Sequence, residues 1–364
     1  MREQQIPEDF SRMLFGERHS SVCCLKSGVY TPLPTFFNED EELNLEEYEK
    51  HLIHVVSKGA FPVCAGSLGE AVHLSRDERA TLIRCTRQTL DKQGFESVPI
   101  VAGVGGSSTR ETVQLAQDAA SAGAAVGMVI PPAYYAATLQ QDSSQIEQYY
   151  IDICRLSPIP LLLYNFPANS AGQDLSAKSI IRIIKNSPNL CGLKLTCPGR
   201  MDKLEQVTAL VKTNPEFLIL DGVMHDLPAW KEFGGHGTVS GISNISPSST
   251  VRLWNLCCVE NPSFEQQKEL QQVLHVLSKV DAVVMPLGVR GLSAYFDQIR
   301  GTDADFVVEY VLGYLHGYGS GPRRPLLALD EISGEAVTDV LDELLILENR
   351  YEEEVMTSES WTTA

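Results

Sequence analysis

The chain is predicted to be an α/β protein, a (β/α)8 TIM barrel with a C-terminal helical appendage, and three observations predict it. Strand-like and helix-like segments alternate through eight successive units. The loops between them are short, as connections in such units are. No Gly-rich dinucleotide fingerprint follows the first strand, where an open doubly wound sheet usually carries one.

The first strand covers residues 28–32. Its helix has an apolar period through Leu45, Tyr48, Leu52, Val55 and Val56 and closes at Gly59. The second strand is 61–65, and the helix after it opens with a capping box from Ser75 to Glu78. The third is 98–102, with a second capping box from Ser108 to Glu111 and a stop at Gly123. The fourth, 125–130, ends at Pro131-Pro132 and precedes a helix over 143–156. The fifth, 159–166, leads to a helix over 176–185, and the sixth, 190–196, to one over 201–212. The seventh is 217–220 with a short helix at 227–233. The eighth is 237–242, followed by a long helical stretch broken near Asn261-Pro262. Beyond Val280 the pattern is helical without strands, over 292–299, 304–314 and 335–347. The expected organisation is an N-terminal extension (1–26), the barrel (27–283), the helical appendage (284–349) and an acidic, disordered tail (350–364).

Composition excludes several classes. The formal charge is −18, much of it between Asp330 and Glu359, and an acidic chain without a basic stripe is a poor nucleic-acid binder. No stretch approaches the roughly 18 apolar residues of a membrane span. The nine cysteines form no C-x-x-C pair and lie largely in apolar runs, which fits a reducing compartment. The histidines show no metal spacing; His51 and His54, three apart, are read as part of a solvated helix face, and no metal or other cofactor is expected. Residues 1–26 lack the charged and apolar regions of a secretory signal, and their acids argue against a mitochondrial presequence, so the cytoplasm is expected.

Lys194 is the most informative single residue. It interrupts the apolar run Leu190-Cys191-Gly192-Leu193-Lys194-Leu195-Thr196, and lysine is depleted in strands and rarely buried. Alternation puts Leu193 and Leu195 on one face and Gly192, Lys194 and Thr196 on the other. With the leucines against helices, the lysine points inward beside a glycine expected to leave room for a ligand. Desolvation lowers a lysine's pKa, and the neutral amine attacks carbonyls. A lysine snorkelling from a strand end is the plain alternative.

Barrel active sites form at the carboxyl ends of the strands. Those ends carry Gly66-Ser67-Leu68-Gly69-Glu70, Pro131-Pro132-Ala133-Tyr134-Tyr135, Tyr164-Asn165-Phe166-Pro167, Lys194, and Thr238 through Asn244. Singly, Gly66 and Gly69 permit a turn, Glu70 caps a helix and Tyr164 is a core aromatic. Together they suggest imine chemistry on a keto acid. A tyrosine linked to a serine would move protons, and consecutive amides of the Gly-Ser-Leu-Gly turn would bind a carboxylate.

The runs Gly66-Ser67-Leu68-Gly69-Glu70, Tyr164-Asn165-Phe166-Pro167-Ala168-Asn169 and Gly192-Leu193-Lys194, in this order on these strands, resemble the dihydrodipicolinate synthase/N-acetylneuraminate lyase superfamily over about residues 28–326. Within it the chain is most similar to 4-hydroxy-2-oxoglutarate aldolases and fungal 2-keto-3-deoxy-L-sugar-acid aldolases. Gly69-Glu70-Ala71-Val72-His73-Leu74, Tyr-Asn-Phe-Pro and Lys-Leu-Thr-Cys carry that likeness. The resemblance implies a class I, pyruvate-dependent aldolase in which Lys194 forms the Schiff base, Tyr164 shuttles protons and Ser67 is its relay. It also implies that the amides of Ser67 and Leu68, beside Gly66, hold the substrate carboxylate and that the Val239 carbonyl borders the imine. Tyr134, with Tyr135 as rival, would reach into a neighbouring subunit, so a homo-oligomer acting on a small 2-keto acid is implied. Three departures stand out. Asn169 replaces the arginine by which dihydrodipicolinate synthases grip their second substrate, which argues against lysine biosynthesis. Leu68 replaces the usual polar residue, and residues 295–311 resemble an insertion. A dehydratase on the same scaffold and a non-catalytic binding barrel are the other readings.

Overall fold

A computed structural model describes residues 25–212, 214, 216–284, 322–326 and 341–353. Eight strands, β1 (Gly28–Pro32), β2 (Phe61–Cys64), β3 (Val101–Gly103), β4 (Val126–Val129), β5 (Leu161–Asn165), β6 (Leu190–Leu195), β7 (Leu218–Asp221) and β8 (Gly237–Val239), pair in sequence order and close into a barrel. Every neighbouring pair is parallel, including β8 against β1. The fold is the TIM barrel expected from the alternation. Its strands are buried on both faces, and the period of two sorts their side chains. On β5, Leu162 and Tyr164 join Tyr30, Val63, Met128 and Leu220 inside the barrel, while Leu161 and Leu163 pack outward with Leu193, Leu195 and Ile219. Tyr30 plugs the amino end: its hydroxyl donates to the Lys26 carbonyl at 2.7 Å and its ring lies 5.0 Å from that of Phe61.

The covering helices are α1 (Leu45–Ser57), α2 (Arg76–Lys92), α3 (Thr109–Ala122), α4 (Ala136–Gln141), α5 (Ser143–Leu156), α6 (Ala177–Asn186), α7 (Arg200–Val211), α8 (Leu227–Glu232), α9 (Pro247–Cys257) and α10 (Phe264–Val284). At α2 the Ser75–Glu78 capping box forms in both directions. At α3 only half of the expected box exists: Ser108 accepts from the Glu111 amide, but the Glu111 carboxylate takes the amide of Ser107 instead, at 2.7 Å. The short α4 was not anticipated. The last strand, expected over 237–242, stops at Val239, and residues 241 and 242 instead open a 3-10 helix, Gly241–Asn244. The expected solvated histidine face is also corrected. His51 is fully buried, and its Nε2 lies 2.8 Å from Asn244 Oδ1, so it joins α1 to the loop after β8.

Gly192 has a different reason from the one alternation suggested. The β5–β6 register slips between Leu161 and Leu162, leaving Cys191 as an extra residue. A Cβ built on Gly192 would lie 2.4 Å from the Leu218 carbonyl oxygen of β7. The glycine therefore permits close backbone approach at a bulge and does not open space for a ligand. Gly192→Ala is expected to cost about 1–3 kcal/mol or more by overpacking, read as a lower denaturation midpoint.

At the other end of the chain, a helix spans 341–353. It runs beyond residue 349, where the tail was expected to start, because Tyr351 is buried and its hydroxyl donates to Glu269 Oε1 at 2.9 Å. The buried Glu348 carboxylate accepts the amides of Ser248 (2.7 Å) and Ser249 (2.8 Å) and the hydroxyls of Ser246 and Ser249. It satisfies the open amides and dipole at the start of α9, so the final helix is tied to the loop after β8. The expected segments 292–299 and 304–314, the insertion at 295–311, and 354–364 lie outside the described residues, as does most of the N-terminal extension.

Candidate active site

The β5–β6 register sets Tyr164 directly beside Lys194. Both point into the barrel near its carboxyl end, where they are 4% and 6% exposed. Lys194 Nζ sits 4.1 Å from the centre of the Tyr164 ring, and the Phe166 ring stacks on that of Tyr164 with centres 5.5 Å apart. Burial pushes the Lys194 ammonium down to about 7, opposed by the carboxylate of Asp221 on β7. Asp221, level with Leu195 on the next strand, is itself pushed up to about 8 by burial, against the pull of Arg200. Arg200 donates from Nε to Asp221 Oδ1 at 2.9 Å and also pairs with Asp226. The acid acts on the lysine from the neighbouring strand, and the arginine acts on the acid. Thr196 follows Lys194 by two residues. Its Oγ1 is buried without a partner among the described residues, and Gly222 is what leaves it room, since a Cβ there would fall 1.6 Å from it.

The turn after β2 closes on itself: the Glu70 amide donates to the Ser67 carbonyl and the Ala71 amide to that of Gly66. The amides of Ser67 and Leu68 donate to none of the described residues. Both ends of the turn are strained, with Ala65 at φ 48° and Glu70 at φ 50°, left-handed values that cost a residue with a Cβ about 1–2 kcal/mol. Gly69 is required between them because a Cβ would approach the Leu33 carbonyl oxygen to 2.8 Å. Thr35 secures the turn by donating from Oγ1 to the Gly69 carbonyl at 2.8 Å. Gly66 is buried, while Ser67 and Leu68 are half-buried, with Leu68 packed against the core.

Val239 ends β8 beside β1, buried inside the barrel. Lys194, Tyr164, Val239 and the Gly66–Leu68 turn thus share the carboxyl end of the barrel. Asn169 lies in a 3-10 turn, Pro167–Ser170, and is exposed. Tyr134 and Tyr135 stand in the loop before α4, 86% and 67% exposed, their rings packed edge to face at 5.0 Å. They are surface residues, in contrast with the buried lysine and tyrosine. Sequence reasoning missed Asp221, Arg200 and Arg323. Asp221 could have been found as the charged end of Leu-Ile-Leu-Asp; the other two carry no local signal.

Residues 25–302 match the dihydrodipicolinate synthetase family model. The chain is 34% identical over 329 residues to a protein of Emericella nidulans named "Probable 4-hydroxy-2-oxoglutarate aldolase, mitochondrial", covering 90% of this chain and 98% of that one. It is 32% identical over 332 residues to the L-threo-3-deoxy-hexylosonate aldolase of Hypocrea jecorina, covering 89% and 98%. In fold it matches the dihydrodipicolinate synthase of Bacteroides thetaiotaomicron with a TM-score of 0.73, at 23% identity over 86% of this chain and 97% of that one. The chain belongs to the dihydrodipicolinate synthetase family.

Proposed function

We propose that the protein is a Schiff-base aldolase that cleaves a 4-hydroxy-2-keto acid to pyruvate and an aldehyde. The supporting observation is the buried Lys194 amine, lowered to about 7 and set over the Tyr164 ring at the open end of the barrel. Neutral Lys194 attacks the C2 carbonyl, and loss of water from the carbinolamine leaves a protonated imine. The unpartnered amides of Ser67 and Leu68 hold the C1 carboxylate, and the Val239 carbonyl borders the imine. Tyr164, with Ser67 as relay, removes the proton of the C4 hydroxyl. The C3–C4 bond then breaks, the aldehyde departs, and the bonding pair enters the imine to give an enamine. Protonation at C3 and hydrolysis release pyruvate and return the amine. Two relatives carry aldolase names, which favours this chemistry over dehydration. The substrate is 4-hydroxy-2-oxoglutarate or a 2-keto-3-deoxy sugar acid, and Asn169 stands where a synthase would need a cation.

The test is borohydride trapping with pyruvate, followed by peptide mapping. A reduced pyruvyl adduct on Lys194 is expected, and its initial rate should climb as pH rises through about 7, where the ammonium loses its proton. Absence of the adduct from folded protein would favour a binding barrel. Product analysis with a 2-keto-3-deoxy acid separates pyruvate release from a dehydrated keto acid.

The exposed Tyr134–Tyr135 pair supports a homo-oligomer in which Tyr134 reaches the neighbour's site; light scattering tests it, a monomer refuting it. Among the described residues no helix is long and apolar enough to cross a membrane. Residence in the cytoplasm is proposed from the buried thiols of Cys64, Cys85, Cys154 and Cys197, which suit a reducing compartment, and import of a tagged full chain into mitochondria would overturn it.

A further inference from the structure

Arg323 lies far along the chain, yet it enters the catalytic face between the loops after β1 and β2. Its Nη1 donates to the His73 carbonyl at 2.8 Å, its Nη2 pairs with Glu78 Oε1 at 2.6 Å, and both Nε and Nη2 reach the Glu41 carbonyl. Its backbone amide donates to Glu70 Oε2 at 3.3 Å, and its guanidinium lies 4.3 Å from the Phe37 ring centre. Glu70 is also held by His73, whose Nδ1 lies 2.8 Å from Oε2. One side chain therefore links the loop after β1, the segment after the strained turn, and the first turn of α2.

The turn it grips is the one whose amides face the keto acid. Left-handed Ala65 and Glu70 persist only where the surroundings outweigh their strain. Thr35 restrains the turn at Gly69 and Arg79 holds the Ala71 carbonyl, while Glu70 is met by the backbone amide of residue 323 and the His73 carbonyl by its guanidinium. A lysine could keep the charge against Glu78 but could not span the Glu41 and His73 carbonyls together, because only the planar fork presents several fixed donors.

Resting on the aldolase reading, we propose that Arg323 is a positioning residue that holds the Ser67–Leu68 amides in register with the substrate carboxylate. Its loss disturbs carboxylate recognition and leaves the Lys194 amine intact.

The experiment compares borohydride trapping of pyruvate with that of hydroxyacetone, a ketone without the carboxylate, in wild type, Arg323→Ala and Arg323→Lys. In folded variants the half-saturating pyruvate concentration is expected to rise about tenfold or more, the scale of losing hydrogen bonds to a charged group. Half-saturation by hydroxyacetone and the pH midpoint of trapping should stay at wild-type values, and lysine should restore only part of the pyruvate effect. Equal losses for both ketones, an unchanged pyruvate half-saturation, or unfolding of both variants would overturn the proposal, the role then being structural or nil. Failure of wild type to trap pyruvate on Lys194 would instead overturn the aldolase reading itself.

Discussion

Lys194→Met is expected to abolish aldol cleavage, by about ten-thousandfold or more, and to remove the borohydride-trapped pyruvyl adduct while leaving the barrel folded. Methionine keeps the length and volume of the stem without the amine. The same change should stabilise the protein in acid. In the folded state burial holds the ammonium down to about 7, against an ordinary 10.5 in the unfolded chain. Below about 7 the folded protein must carry a desolvated charge that the unfolded chain hydrates freely, so the lysine's penalty is fully present there. Between about 7 and 10.5 the unfolded chain binds the proton and the folded one does not, so stability rises with pH until the penalty is gone. The methionine variant should therefore exceed wild type by a few kcal/mol at pH 6, with the margin closing toward pH 10. Denaturant midpoints across that range measure it. A variant that keeps cleavage would contradict the mechanism, and one whose margin widens in alkali would contradict the burial argument.

Tyr164→Phe is expected to lower kcat by about a hundredfold to ten-thousandfold, the usual scale for a general acid–base group. The ring is retained, so its stack on Phe166 and its contact with Lys194 should survive, and the denaturation midpoint should move little. What is lost is the hydroxyl that would protonate the departing carbinolamine oxygen and take the C4 proton. The adduct on Lys194 should still form, more slowly, and half-saturation by pyruvate should change far less than kcat. Single-turnover cleavage measured beside trapping separates the two steps. An undiminished kcat would move the proton-shuttling role elsewhere, with Thr196 the first residue to examine because its hydroxyl is buried and unpartnered among the described residues.

The architecture was legible because it rests on local signals. Alternating apolar strands, the Ser75–Glu78 box and the Gly123 stop each depend on a few neighbouring residues, and they reappear at α2, α3 and the strands they bracket. Strand ends were less legible. β2 and β8 leave the ladder early, where Ala65 takes a left-handed φ and the 241–244 segment coils so that Asn244 can meet His51, whereas β3 and β7 each run one residue further than expected. His51 shows the limit of helix periodicity. Its spacing with His54 suits a solvated face equally well until a loop nearly two hundred residues away covers it.

The sequence alone determined that an inward lysine would occur on a buried strand, with a tyrosine on the strand before it and a small-residue turn at the carboxyl end of another, because side-chain alternation and barrel connectivity follow from chain order. Only the tertiary structure decided which side chains meet. Strand register set the Tyr164 ring against Lys194, a bulge gave Gly192 its purpose, and burial together with Asp221 settled the lysine's proton affinity. The Arg323 clamp and the Glu348 tie belong to the same class. Such contacts join residues distant in the chain, so their energy depends on desolvation and distance, neither of which is written in local sequence.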